Sequence, residues 1–141
     1  MNFQQTRRFL AASLCGTVVG TGITVLSICY DDVLRVAREA ILKEAGHEVV
    51  SAAHLSQALE MLSAIRPGCV ILGHTVRLED QLILALAVEK VAPRPRVVEI
   101  YTYRPNPEIS PDARLPSHEG PEALIQVLQN LSSASAAAGS E

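Results

Sequence analysis

From Ile23 to Tyr30 the chain reads ITVLSICY, a β-branched and almost continuously apolar run, which is the pattern of a strand covered on both faces. Asp31 and Asp32 follow, either of them suited to cap a helix. In VLRVAREAILKEAG the apolar residues Val33, Val36, Ala37, Ala40 and Ile41 fall at helical spacing, and Gly46 supplies the stop. HEVVSAA predicts a second strand. Leu55, Ala58, Leu59, Leu62 and Ile65 predict a second amphipathic helix, closed at Arg66-Pro67 because the residue before proline is pushed out of helical geometry. CVILG predicts a third strand. LEDQLILALAVEKVA predicts a third helix, apolar on most sides and therefore well buried, ended by Pro93 and Pro95. RVVEIYTY predicts a fourth strand. Pro105, Pro107 and Pro111 then exclude a regular helix from the connection that follows. DARLP predicts a short fifth strand, and Pro121 opens a last helix carrying Leu124, Ile125, Leu128 and Leu131.

Strands that are apolar throughout, alternating with helices, predict an α/β fold with a doubly wound parallel five-stranded sheet. Any site then belongs at the carboxyl ends of the strands, which are Cys29-Tyr30, Gly73-His74 and Tyr101-Thr102. The chain of 141 residues, 48% apolar, holds one domain with a sizeable core. That domain is expected over residues 23–131, with an N-terminal extension at 1–22 and a disordered tail at 132–141, where the sequence is low in complexity.

Twelve Lys and Arg against fifteen Asp and Glu leave a net charge of -3, and no basic run occurs. Nucleic acid is therefore not an expected partner. Cys15, Cys29 and Cys69 are odd in number and widely spaced, which suits a reducing cytoplasm better than a disulfide framework. Residues 7–29 complicate that location. Two arginines precede a mostly apolar run, the outline of a signal peptide, a twin-arginine leader or a membrane anchor. Gly16, Gly20 and Gly22 dilute the run and no A-x-A cleavage site follows, so the extension is expected to be a loose segment or a start codon placed too early. Membrane association is the alternative.

Leu34-Arg35, LKEAGHEVVSAA (Leu42 to Ala53), QALEML (Gln57 to Leu62), RPGCVIL (Arg66 to Leu72) and DARLPSHEGPEALIQVLQNL carry a resemblance that spans Ile23 to Leu131. In this order and spacing they resemble the receiver domain of bacterial response regulators. The resemblance implies a flavodoxin-like receiver fold, here with a reduced fourth helix, because the family's helix after the fourth strand falls on the proline-rich connection. It also implies two-component phosphorelay signal transduction. In the family an aspartate at the tip of the third strand accepts a phosphoryl group. An acidic pair after the first strand holds magnesium, a lysine after the fifth strand contacts the phosphoryl, and a Ser or Thr after the fourth reads it. Such a transfer needs a carboxylate nucleophile, oxygen ligands for a hard cation, and a neutralising positive charge.

Carried over position by position, the acceptor is Gly73, the acidic pair is Cys29 and Tyr30, the lysine is Ser117, and the switch residue is Tyr101 or Thr102. The chain is thus expected to be a stand-alone, degenerate receiver that is not an enzyme, takes no cofactor or metal, and acts through a protein partner. Arg35, Arg38 and Lys43, placed outside the apolar stripe of the first helix, are the expected contact residues. Asp31 and Asp32 are expected to cap or be solvated, His47 and His54 to be solvated, and, with Tyr101 and Tyr103 alternating with Thr102, one tyrosine face to pack in the core while the other positions line the pocket mouth. The alternative function is a small enzyme or ligand-binding protein using a remodelled pocket in which the Cys29 thiol meets His74. Metal binding by Cys29, His74 and His118 is a weaker variant of it.

Overall fold

The computed structural model describes residues 23–139. Five strands, β1 (Thr24–Ile28), β2 (Glu48–Ala52), β3 (Cys69–Leu72), β4 (Arg96–Tyr101) and β5 (Ala113–Pro116), form one sheet in the order β2-β1-β3-β4-β5. Every neighbouring pair is parallel. The helices are α1 (Asp32–Glu44), α2 (Leu55–Ile65), α3 (Leu78–Val88) and α4 (Pro121–Gly139).

Alternation along the strands divides the core in two. Val25, Cys69, Ile71, Val98 and Ile100 point to the layer formed by Leu42 of α1 and Leu124 and Leu128 of α4. Leu26, Ile28, Val70, Leu72 and Val97 point to the opposite layer, formed by Ala58 and Leu62 of α2 and Leu84 and Val88 of α3. Both faces of the sheet are covered, so the strands have no polar period. The strand order reverses between β1 and β3, and their carboxyl ends form the crevice where ligands of open α/β sheets bind.

Local signals place the helix ends. The Asp31 carboxylate accepts a hydrogen bond from the Leu34 amide at 2.9 Å and caps α1, whose exit turns at Gly46 with φ 102°. His54 caps α2 by accepting from the Gln57 amide at 3.3 Å, and Arg66 closes it in the left-handed region at φ 56°.

Several expectations are corrected. α1 is rotated relative to the predicted stripe: Val33 and Val36 are 81% and 63% exposed, while Arg38 and Leu42 are buried. Leu42 is the α1 residue of the core, with Leu34 half-buried on the same side; of the predicted stripe only Ile41 is even half-buried. α3 ends at Val88, earlier than the prolines require, and it is not buried on all sides: Leu78, Ile83 and Leu86 are exposed. α4 is helical to Gly139, alanine having the highest helix propensity. His47 is buried, its Nδ1 accepting from the Ile23 amide at 3.3 Å, and burial lowers its pKa. Tyr101 is only half-buried and Tyr103 is 96% exposed, so neither tyrosine packs in the core.

No helix joins β4 to β5. Ile109 fills part of that space by packing into the α2/α3 layer. A buried polar network holds the connection: Glu99 accepts from Arg114 at 2.7 Å and from the Asn106 amide at 2.7 Å, and the Asn106 side chain donates to Gln81 at 3.0 Å. Residues 1–22, and with them most of the candidate leader or anchor, lie outside the described residues. Ile23 to Cys29, the end of that run, belongs to β1 and its flanks. Among the described residues no helix is long and apolar enough to cross a membrane.

Candidate functional site

The tips of β1 and β3 stand side by side, with the Gly73 amide donating to the Ile28 carbonyl at 3.0 Å. A Cβ at Gly73 would lie 2.9 Å from that carbonyl oxygen, 3.0 Å from Arg38 Nη1 and 3.6 Å from Cys29 Cβ. These distances leave no ordinary room for a side chain. Glycine here is a requirement of packing. The space over residue 73 is occupied by a guanidinium: Arg38 is buried, and its Nη1 has no hydrogen-bond partner. Burial lowers its pKa and the adjacent Cys29 opposes the shift, yet arginine stays cationic in proteins.

Cys29, Tyr30, Asp31 and Asp32 are already engaged. Cys29 is fully buried, and its Sγ lies 3.5 Å from the Asp31 carbonyl and 3.5 Å from Thr75 Oγ1. The Tyr30 amide donates to Thr75 Oγ1 at 2.8 Å, and the Tyr30 hydroxyl donates to Asp80 at 2.8 Å. Burial first, then the Asp80 carboxylate, raises the Tyr30 pKa, so the phenol stays neutral. Asp31 is the α1 cap and Asp32 pairs with Arg35 at 2.7 Å. On the β4 and β5 side, Thr102 Oγ1 and Ser117 Oγ lie 3.4 Å apart. Thr102 and Ser117, the residues expected at the switch and lysine positions, thus bring two hydroxyls near one another.

His74 turns to the other side and lines a cleft with Gln81, Tyr101 and Thr102. Its pKa is lowered, by burial first and then by Arg38, with Asp31 acting in opposition. No hydrogen bond joins the Cys29 thiol to the His74 imidazole, the contact on which the alternative reading rests. Cys29 contacts Thr75, and His118 is exposed on the turn after β5. Among the described residues, no group of three or more His, Cys, Asp or Glu side chains is placed to hold a metal ion. The magnesium that the receiver fold implies does not fit this donor set. A thiol and a hydrogen-bonded phenol replace its carboxylates, and a buried cation stands over the acceptor position.

The three expected contact residues are not one surface. Arg38 is buried, and Arg35 is 17% exposed and holds the Cys29 carbonyl at 3.1 Å as well as Asp32. Only Lys43, 55% exposed and paired with Glu39 at 2.7 Å, faces outward. Arg38 was misplaced because a lone arginine among apolar residues reads as a surface residue; its position between Leu34 and Leu42 on one helical face was the available signal. Thr75 and Asp80 carried no signal that set them apart from ordinary loop residues.

No protein-family model matches the sequence, and no curated protein does. Solved structures do. The chemotaxis response regulator CheY4 of Vibrio cholerae is 22% identical with a TM-score of 0.67, over 78% of this chain and 98% of that one. The signal receiver domain of a response regulator from Bermanella marisrubri is 21% identical with a TM-score of 0.68, over 77% and 96%. A CheY-like receiver domain protein from Methanospirillum hungatei is 16% identical with a TM-score of 0.68, over 79% and 94%. The chain has the fold of the CheY-like response-regulator receiver domains.

Proposed function

We propose that the protein is a receiver-type signalling module of the two-component class that works without phosphorylation, by contact with a protein partner, and that it is not an enzyme. One observation carries this reading: the buried Arg38 guanidinium lies against Gly73, where the fold's phosphoacceptor would stand. A site with no carboxylate to attack, and with a fixed cation in place of a metal, has neither the nucleophile nor the electrostatics for accepting a phosphoryl group. Switching in such folds depends on a new charge biasing two states. A chain that cannot gain that charge holds one conformation, and its partner affinity is constitutive. The exposed side of α1, with Val33 and Val36 beside Lys43, supports a protein partner better than a nucleic acid, since it is apolar with little positive charge.

The test is intact-mass measurement after incubation with acetyl phosphate and magnesium, together with capture of partners with and without that treatment. The expected result is an unchanged mass and unchanged capture. An acid-labile gain of one phosphoryl group at the strand tips, or capture that depends on acetyl phosphate, overturns the reading.

A further inference from the structure

Beside the strand tips, α1, the end of β5 and the start of α4 enclose a cavity of about 150 Å³. Its walls are mostly apolar, formed by Leu34, Ile41, Ile100, Leu115 and Leu124. Its polar lining comes from Arg38, Ser117 and the backbone around Gly120, where α4 begins, and no carboxylate of the described residues lines it. Arg38 lines the cavity and is only 9% exposed; its Nη1 lies against Gly73, outside the lining, and has no hydrogen-bond partner among the described residues. A charge held this way is costly unless an anion accompanies it. The acidic groups at the starts of α1 and α4 are turned to other work or to solvent: Asp31 caps α1, Asp32 pairs with Arg35, and Glu119 and Glu122 are exposed.

We propose that this cavity binds a small monocarboxylate with an apolar body, its carboxylate paired to the Arg38 guanidinium and its body seated among the leucines and isoleucines. Three features select that chemistry. The guanidinium fork matches a carboxylate. A single cation with one hydroxyl suits one negative charge, whereas a phosphate would leave oxygens against leucine. The volume is that of a cavity known to accept a benzene-sized body. The helix N-terminus adds a favourable field for the anion. The site shares Arg38 with the proposed loss of phosphoryl chemistry, but benzoate binding and insensitivity to acetyl phosphate are read by separate experiments, so either can fail without the other.

Titration of the full chain with benzoate, followed by backbone and methyl NMR, tests the proposal. Benzamide serves as the neutral isostere and inorganic phosphate as the anion without an apolar body. The expected result is saturable shifts at Arg38, Ser117 and Leu124 with benzoate, and binding at least about tenfold weaker for benzamide and for phosphate. Arg38→Met, which keeps the packed stem and removes the charge, should lose benzoate binding by about tenfold or more. Should that variant not fold, Ala37→Phe fills the cavity from an exposed helical position and should abolish binding while the fold persists. Equal binding of benzoate and benzamide, equal binding of phosphate, shifts unaffected by either variant, or no saturable benzoate shift at millimolar concentration overturns it.

Discussion

Arg114 Nε donates to Glu99 Oε1 at 2.7 Å, and the two residues face one another in the register of β4 and β5. The carboxylate is almost wholly buried, and the same guanidinium also reaches the Asn106 and Ile109 carbonyls at 3.1 and 2.8 Å. One ion pair thus fastens to the sheet edge the connection that lacks a helix. Arg114→Ala leaves a buried charge unpaired and frees two carbonyls. The expected loss is about 2–3 kcal/mol, the lower end for a broken buried pair, because Arg114 is itself 38% exposed and water partly compensates. Chemical denaturation measures it. A loss below about 0.5 kcal/mol, typical of surface substitutions, would mean that the connection is held by Ile109 alone.

Gly73→Ala should destabilise the fold by about 1–3 kcal/mol, as overpacking does, since the new methyl would meet the Ile28 carbonyl at 2.9 Å and Arg38 Nη1 at 3.0 Å. Only the arginine can move aside. Gly73→Asp is sterically worse but brings a carboxylate to a buried guanidinium, so its cost should be smaller than that of Gly73→Leu. It should still not accept phosphate, because the new aspartate would pair with Arg38 and magnesium would still lack its acidic ligands. Mass measurement with acetyl phosphate and magnesium decides, and a phosphorylated Gly73→Asp protein would show that the arginine is easily displaced.

Acid should weaken the protein before its carboxylates titrate. His47 is buried and its pKa is lowered below its ordinary value of 6.5 by loss of solvent, and His74 shifts the same way through burial and then Arg38. Below that value the unfolded chain binds protons that the folded chain refuses, so stability is full above about pH 6.5 and declines as the pH falls toward the folded pKa values. Melting temperature against pH should show this decline, and His47→Gln should flatten it. A curve identical to that of the parent would place the acid response on other groups.

The fold was legible because apolar strands, glycine and proline stops and capping aspartates all agree. Cys29 and Tyr30 follow β1, Gly73 follows β3, and Ser117 opens the turn after β5. What could not be read was the phase of α1. Val33, Val36 and Ala40 make as good a helical stripe as Leu34, Ile41 and Leu42 unless an arginine is allowed on the buried side. The cost of burying Arg38 argues against that locally, and only the vacant space over Gly73 makes it possible. Glu99 offered a clearer sign. A single carboxylate inside an otherwise apolar strand needs a buried partner, and Arg114 is the basic residue of the adjoining strand.

The rotation of α1 changes which substitutions separate partner binding from folding. Charge reversal at Arg38 should unfold or strongly destabilise the chain, by placing a carboxylate in a buried pocket beside Cys29. Lys43→Glu loses an exposed pair with Glu39, worth at most about 0.5 kcal/mol. Val33 and Val36 lie on the outer side at 81% and 63% exposure, so Val33→Lys and Val36→Lys together should leave the melting temperature nearly unchanged, and polar residues there even favour the helix slightly. If α1 is the contact surface, this double variant should lose the partner captured by the parent protein, while Lys43→Glu alone should weaken it only modestly. Binding should be equally strong before and after treatment with acetyl phosphate. Retention of the partner by a folded Val33→Lys, Val36→Lys variant would move the contact to the other exposed apolar side, around Leu78, Ile83 and Leu86 of α3, where Leu86→Lys would then be the substitution that removes it.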